Sequence, residues 1–179
     1  MSEQIKKLNR REVYDGIRVH VARETILLPN GKETEWELIV HPGASAIIPV
    51  DDDGRIILVK QYRNASDTYT LEIPAGVFDS PSEDPKICAA RELEEEIGYR
   101  SNDIDFLINF YSAIGISDEL INIYVARNLI KTKQDLDEDE FITIERYTVD
   151  ELIQMILDGQ IKDNKTISSI LVYKEKYKI

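Results

Sequence analysis

The chain has 179 residues, 42% hydrophobic and 31% charged, proportions of a globular protein long enough to bury one sizeable core. A formal charge of −12 and a pI near 4.7 argue against general nucleic-acid affinity, because phosphate backbones are gripped by surplus Lys and Arg. No apolar run approaches the roughly 20 residues of a membrane span, the N-terminal residues lack a signal-peptide core, and the single Cys88 can close no internal disulfide, so a cytoplasmic address without a membrane partner is expected.

In chain order, the first forty residues read as a small β unit. Val13 to Glu24 holds short alternating stretches, Asn30-Gly31 is a tight-turn dipeptide, and Thr34 to Val40 resumes an extended pattern. The expected division is therefore a β-rich extension over 1–42 and a main domain over 43–179. From Ala44 the pattern predicts strand Ala44 to Val50, turn Asp51 to Gly54 and strand Arg55 to Tyr62, both strands apolar enough to be buried. Leu71-Glu72-Ile73-Pro74-Ala75-Gly76 reads as a strand ending in a turn, followed by an acidic helix. Ile104 to Tyr111, Leu120 to Ala126 and Phe141 to Tyr147 read as later strands. Thr148-Val-Asp-Glu151 is a capping box opening a helix to about Gly159, and Ile167 to Tyr177 reads as a last amphipathic helix. Strands with helices at intervals imply a layered α/β arrangement.

The acidic helix is the most informative segment. Glu92, Glu95 and Glu96 stand at i, i+3 and i+4, neighbours on a helical surface whose mutual repulsion costs a few tenths of a kcal/mol per pair. A bare glutamate run reads as a solvated face in an acidic protein, but the surroundings here are specific. Asp84 or Ser82 suits the N-cap, Pro85 the first turn and Gly98 the C-terminal stop, while Ala90, Leu93 and Ile97 form an inward apolar stripe. Hard oxygen ligands on one rigid element suit Mg2+ or Mn2+, ions commonly held together with substrate phosphates.

The same stretch resembles the Nudix box, G-x5-E-x7-R-E-U-x-E-E-x-G-U with U apolar or aromatic, the signature of hydrolases acting on a nucleoside diphosphate linked to another group. Arg91 to Tyr99 fits its second half at every fixed position, and Glu83 lies at the expected distance before Arg91. Six residues, not five, separate Gly76 from Glu83. The likeness runs from about Val13 to the C-terminal helix and is closest in flavour to the ADP-ribose and nucleotide-sugar pyrophosphatases. Its landmarks are Trp36 to Ala44, Leu58 to Arg63 and Leu71 to Gly76.

This resemblance implies a Nudix fold, a mixed sheet sandwiched between helices, with the N-terminal β extension forming a homodimer. It implies a small-molecule nucleotide substrate, most simply ADP-ribose, with Mg2+ or Mn2+ as cofactor. Metal ligands would be Ala75 through its carbonyl, Glu92, Glu95, Glu96 and Glu140. Arg91 would orient the glutamates, Trp36 would be a shelf for the base, and Arg63 a cation for the diphosphate. A lone Trp also reads as core, and Arg63 as a plain ion-pair partner. Glu138, in the acidic run Asp137 to Glu140, is the candidate base, with Glu119 a competing acid. Ala113-Ile114-Gly115 stands where ADP-ribose members show Ser-Pro-Gly, which keeps another nucleoside diphosphate sugar or a nucleoside triphosphate open as substrate. A non-catalytic nucleotide sensor is the alternative of another class. His20 and His41, lacking metal-ligand spacing, carry no assignment, and Cys88 reads as a packing residue.

Overall fold

Strand β4 (Ala44–Pro49) is buried along its whole length, so its side chains must be covered on both faces. The computed structural model describes residues 4–136 and 140–179. Within it, the segment up to Gly43 and Tyr111–Leu120 form one compact unit; Ala44–Phe110 and Ile121–Ile179 form a second.

In the first unit β1 (Lys6–Asp15), β2 (His20–Leu27) and β3 (Glu33–Val40) make an antiparallel sheet in that order. The β2–β3 connection turns at Asn30-Gly31, where Gly31 takes φ 80° and its N–H donates to Leu28 O at 2.9 Å. β1 starts at Lys6, well before the expected Val13, and every one of its residues is exposed. Its charged, weakly apolar sequence gave no periodic signal, and pairing with β2 is what orders it. The loop from Tyr111 docks on β3 through Ile39 N–H to Ile116 O at 2.8 Å.

The second unit is built on two sheets, one in the order β7-β4-β10-β9 and one in the order β12-β5-β6. Their members are β5 (Ile56–Arg63), β6 (Thr68–Glu72), β7 (Ala75–Val77), β9 (Asp103–Tyr111), β10 (Leu120–Arg127) and β12 (Thr143–Tyr147). β4 and β10 run parallel. Period-two alternation sorts the side chains of β4, β5 and β10 into two cores. Ala46, Ile48, Ile56, Leu58, Ile123 and Val125 pack on one face with Leu152 of α2 (Val149–Leu157) and Ile170 of α3 (Asn164–Tyr177). Ile47, Ile57, Val59, Tyr124 and Ala126 pack on the other with Ala89, Leu93 and Ile97 of α1 (Pro85–Ile97). The sheets therefore lie between α1 and the α2/α3 pair, the mixed-sheet α/β sandwich expected.

Differences from the sequence reading cluster at element ends. The expected strand through Gly76 breaks at Ile73-Pro74. Thr68–Glu72 pairs with β5, while Ala75–Val77 pairs with β4, because Pro74 has no N–H to continue a ladder. β12 starts at Thr143, leaving Phe141 and Ile142 outside it. β8 (Tyr99–Arg100) and β11 (Ile130–Lys131) form a two-stranded ribbon too short for any periodic signal. α3 starts at Asn164, three residues early, because Asp163 caps it by accepting from Thr166 N–H at 2.9 Å. The capping box at Thr148 forms as expected, with both reciprocal bonds present.

Leu93 is fully buried between α1 and the sheet. Leu93→Ala is expected to destabilise the protein by about 2–5 kcal/mol, read as a lowered urea midpoint with an unchanged slope.

Candidate metal and diphosphate site

Helix α1 is closed at both ends by its own sequence. Asp84 accepts from Lys86 N–H at 2.7 Å, Pro85 occupies the first turn, and Gly98 ends the helix at φ 69° and ψ 40°. With Leu93 turned into the core, Glu92 and Glu96 are carried to buried positions, 7% and 4% exposed, while Glu95 is left partly exposed. Both buried carboxylates face β7. Glu96 Oε2 accepts from Ala75 N–H at 3.1 Å, and a Cβ placed on Gly76 would fall 1.8 Å from Glu92 Oε1. Only glycine leaves room there.

Burial pushes the Glu92 carboxyl up to about 7, against the opposing pull of Arg91. Burial, helped by the neighbouring Glu92 and Glu140, pushes Glu96 up to about 8. Glu140 is therefore close enough to act on both.

Arg91 ties this cluster together. Its Nη1 donates to Glu92 at 2.7 Å and to Glu95 at 2.9 Å, its Nη2 to Val77 O at 3.0 Å, and its Nε lies 3.3 Å from Glu83 and 3.2 Å from Asp79. The loop that is one residue longer than the pattern still delivers Glu83. It folds as a turn, with Glu83 N–H to Ser80 O at 3.0 Å and Asp79 N–H to Glu83 Oε2 at 2.7 Å. Burial pushes the Cys88 thiol up to about 11, which suits packing and not nucleophilic attack.

Beside these acids stands a second cluster of opposite character. Glu72, 3% exposed, is gripped by Arg63 through two parallel bonds of 2.7 Å and by Lys165, and accepts from Thr70 Oγ1 at 2.5 Å. Burial would raise this carboxyl, but Arg63 and Lys165 outweigh it and hold it at about 2. Both cations also act electrostatically on Glu96.

The second unit thus brings together Arg91, Glu92, Glu95, Glu96, Gly76 and the Ala75 backbone, with Arg63 and Glu140 in electrostatic reach of Glu96. Trp36 and Glu119 belong to the first unit. Trp36 is not core: it is 48% exposed on β3, lining a cavity of about 600 Å³ with Arg23, Glu35, Glu37 and Gly115. Glu119 lies 3.5 Å from His41 Nε2, and His41 Nδ1 accepts from Gly43 N–H at 3.1 Å; Glu119 and His41 are far apart in the chain, and no local pattern announces their pairing. Glu138 lies outside the described residues.

The family model for the NUDIX domain matches residues 40–169. The chain belongs to the Nudix family. It is 38% identical over 167 residues to a methanol dehydrogenase activator of Bacillus methanolicus, covering 92% of this chain and 90% of the relative. It is 35% identical over 167 residues, with the same coverage, to the ADP-ribose pyrophosphatase of Bacillus subtilis (strain 168). A crystal structure of an ADP compounds hydrolase superimposes with a TM-score of 0.87 at 26% identity, over 99% of this chain and 97% of that one.

Nudix hydrolases use a divalent cation, and the donor chemistry of this chain fits one. Glu92 and Glu96 are buried hard-oxygen donors whose ionised forms lack a full complement of positive charge. Among the described residues no three acidic, His or Cys side chains converge on a single ion position, and Arg91 bonds two of the carboxylates. Two residues escaped the sequence reading. Glu72 was visible only as a strand residue, and Lys165 as one lysine among several, since its partner is 93 positions away.

The raised carboxyls give this Nudix site a pH signature. Between about 4.5 and 8 the folded state retains protons on Glu92 and Glu96 that the unfolded chain has released, so stability falls as pH rises through that window. Glu72, held low, contributes no slope there; its stabilisation is lost only as pH falls from about 4.5 towards 2. In EDTA, Tm is expected to drop by at least about 5 °C between pH 5.5 and 8.5. Glu96→Gln should flatten that slope, and Mg2+ should stabilise most at the alkaline end. Differential scanning calorimetry reads all three.

Proposed function

We propose that this Nudix protein hydrolyses the diphosphate bond of ADP-ribose, releasing AMP and ribose 5-phosphate. The observation that carries the reading is the pair of buried carboxylates, Glu92 and Glu96, set against the β7 backbone at Ala75 and Gly76. The choice of ADP-ribose is supported by the Bacillus subtilis relative and the landmarks around Trp36 and Arg63. The turn Ala113-Ile114-Gly115, standing where ADP-ribose members show Ser-Pro-Gly, keeps another nucleoside diphosphate sugar as second reading.

Glu92, Glu95 and Glu96, with the Ala75 carbonyl and Glu140, would hold Mg2+ or Mn2+. Bound there, such ions neutralise phosphate oxygens and lower the pKa of a water. Arg91, itself fixed by Glu83 and Asp79, orients Glu92 and Glu95 by charge-assisted hydrogen bonds. Arg63, 40% exposed while anchored on Glu72, offers its remaining N–H groups to the diphosphate. Trp36 offers an exposed ring face to the base. A loop carboxylate takes the proton from the attacking water: Glu138 is the assigned base, Glu119 the competitor. The protein acts as a cytoplasmic homodimer whose contact includes β1, where Leu8, Val13 and Tyr14 are exposed.

AMP release with Mg2+ across ADP-ribose, sugar nucleotides and nucleoside triphosphates is expected to be fastest with ADP-ribose. Glu96→Gln should cut kcat at least about a hundredfold, and Glu138→Gln about 10²–10⁴-fold, while Glu119→Gln spares it. No hydrolysis of any diphosphate, or activity surviving both Glu95→Gln and Glu96→Gln, overturns the reading. Sedimentation equilibrium is expected to give twice the 20.6 kDa chain mass, and a monomer would remove the dimer from the proposal.

A further inference from the structure

Glu72 is a buried carboxylate with two cations from different elements, Arg63 at the end of β5 and Lys165 in the first turn of α3. Their exposures are unequal: the Arg63 side chain is 40% exposed, that of Lys165 12%. Arg63 uses Nε and Nη2 on Glu72, and among the described residues its Nη1 has no partner.

An arginine engaged on a single carboxylate forms a neutral pair and offers little net attraction to an anion. Lys165 changes that balance. It supplies the buried carboxylate with a second positive charge, leaving the group of three with a net charge of +1 at its exposed end. Two further acids act on the pair: Glu96, which is in electrostatic but not hydrogen-bond reach of both cations and whose carboxyl burial pushes up to about 8, and Asp163, which lies 3.0 Å from Lys165 but also caps α3, accepting from Thr166 N–H at 2.9 Å and Thr166 Oγ1 at 2.6 Å, so the helix N-terminus offsets its charge. Thr166 Oγ1 in turn accepts from Ile73 N–H at 2.9 Å, which fastens α3 to the end of β6.

We propose that Lys165 is a positioning residue for the diphosphate: by sharing Glu72, it leaves Arg63 held in place yet electrostatically free to bind a phosphate oxygen. The proposal rests on the reading of Arg63 as a diphosphate ligand. Without Lys165, Glu72 would claim the whole charge of Arg63, and a phosphate would have to compete with a buried carboxylate for it.

The test is a double-mutant cycle of Lys165→Met and Arg63→Gln, with Lys165→Arg as the conservative variant, on full-length protein in Mg2+. It reads kcat/KM for whichever nucleotide the unmodified protein hydrolyses, and ADP affinity by calorimetry. Lys165→Met should weaken ADP binding and lower kcat/KM about tenfold or more, through KM before kcat. Lys165→Arg should recover most of this loss. On the Arg63→Gln background Lys165→Met should change neither quantity more than about twofold. An equal loss on both backgrounds, or no loss on either, overturns the role assigned to Lys165. If the unmodified protein hydrolyses nothing, the hydrolase reading fails by itself, and the ADP-affinity cycle still decides for or against Lys165.

Discussion

The site depends on one constraint: α1 must bury Leu93, and the helical period then carries Glu92 and Glu96 out of water with it. Leu93 and Ile97 face the core, and Glu92 and Glu96, each one position before them, lie on the side of that stripe turned towards β7. Two carboxylates are thereby placed 7% and 4% exposed, one against a glycine backbone and one on a single backbone N–H. A protein selected for stability alone would not keep them, since an apolar pair of similar volume would pack there without the electrostatic cost. That cost is what the proposed divalent cation would remove.

Arg91 offsets part of the cost. Its planar guanidinium reaches Glu92 and Glu95 from one nitrogen, the Val77 carbonyl from another, and Glu83 with Asp79 from a third. A lysine has one nitrogen and could not span helix, loop and strand at once. The same bonds restrain the loop between β7 and α1, whose turn delivers Glu83 to Arg91.

The parts legible in the sequence were those with local causes. Asp84, Pro85 and Gly98 announced α1, Thr148 and Glu151 announced α2, and Asn30-Gly31 announced a turn, each through neighbours in the chain. The strands of the second unit were legible because alternation or continuous apolarity marks a sheet covered on both faces. What stayed hidden depends on distant partners. β1 is defined by pairing with β2, β8 and β11 by pairing with each other, and the α3 start by a cap outside the apolar pattern. The exposure of Trp36 followed from its place on β3 and not from its residue type. Lys165 could not be singled out at all, because its meaning lies in a carboxylate 93 residues earlier.

Burial alone does not decide what an acidic group does here, as two equally buried glutamates show. Glu72 and Glu96 are 3% and 4% exposed, yet one carboxyl settles at about 2 and the other at about 8. The difference is the supply of positive charge: Glu72 has a bidentate arginine and a lysine in hydrogen-bond contact, whereas Glu96 has one backbone N–H, feels those cations only without contact, and faces the repulsion of Glu92 and Glu140. Glu72 is thus saturated, and a further cation would gain little from it. Glu96 is ionised only at a cost that a divalent cation would remove, and environments that drive neighbouring acids apart in this way assign their roles. Glu72 holds the protein's own cations in place, whereas Glu96 has the unmet charge that the proposed function assigns to a divalent cation.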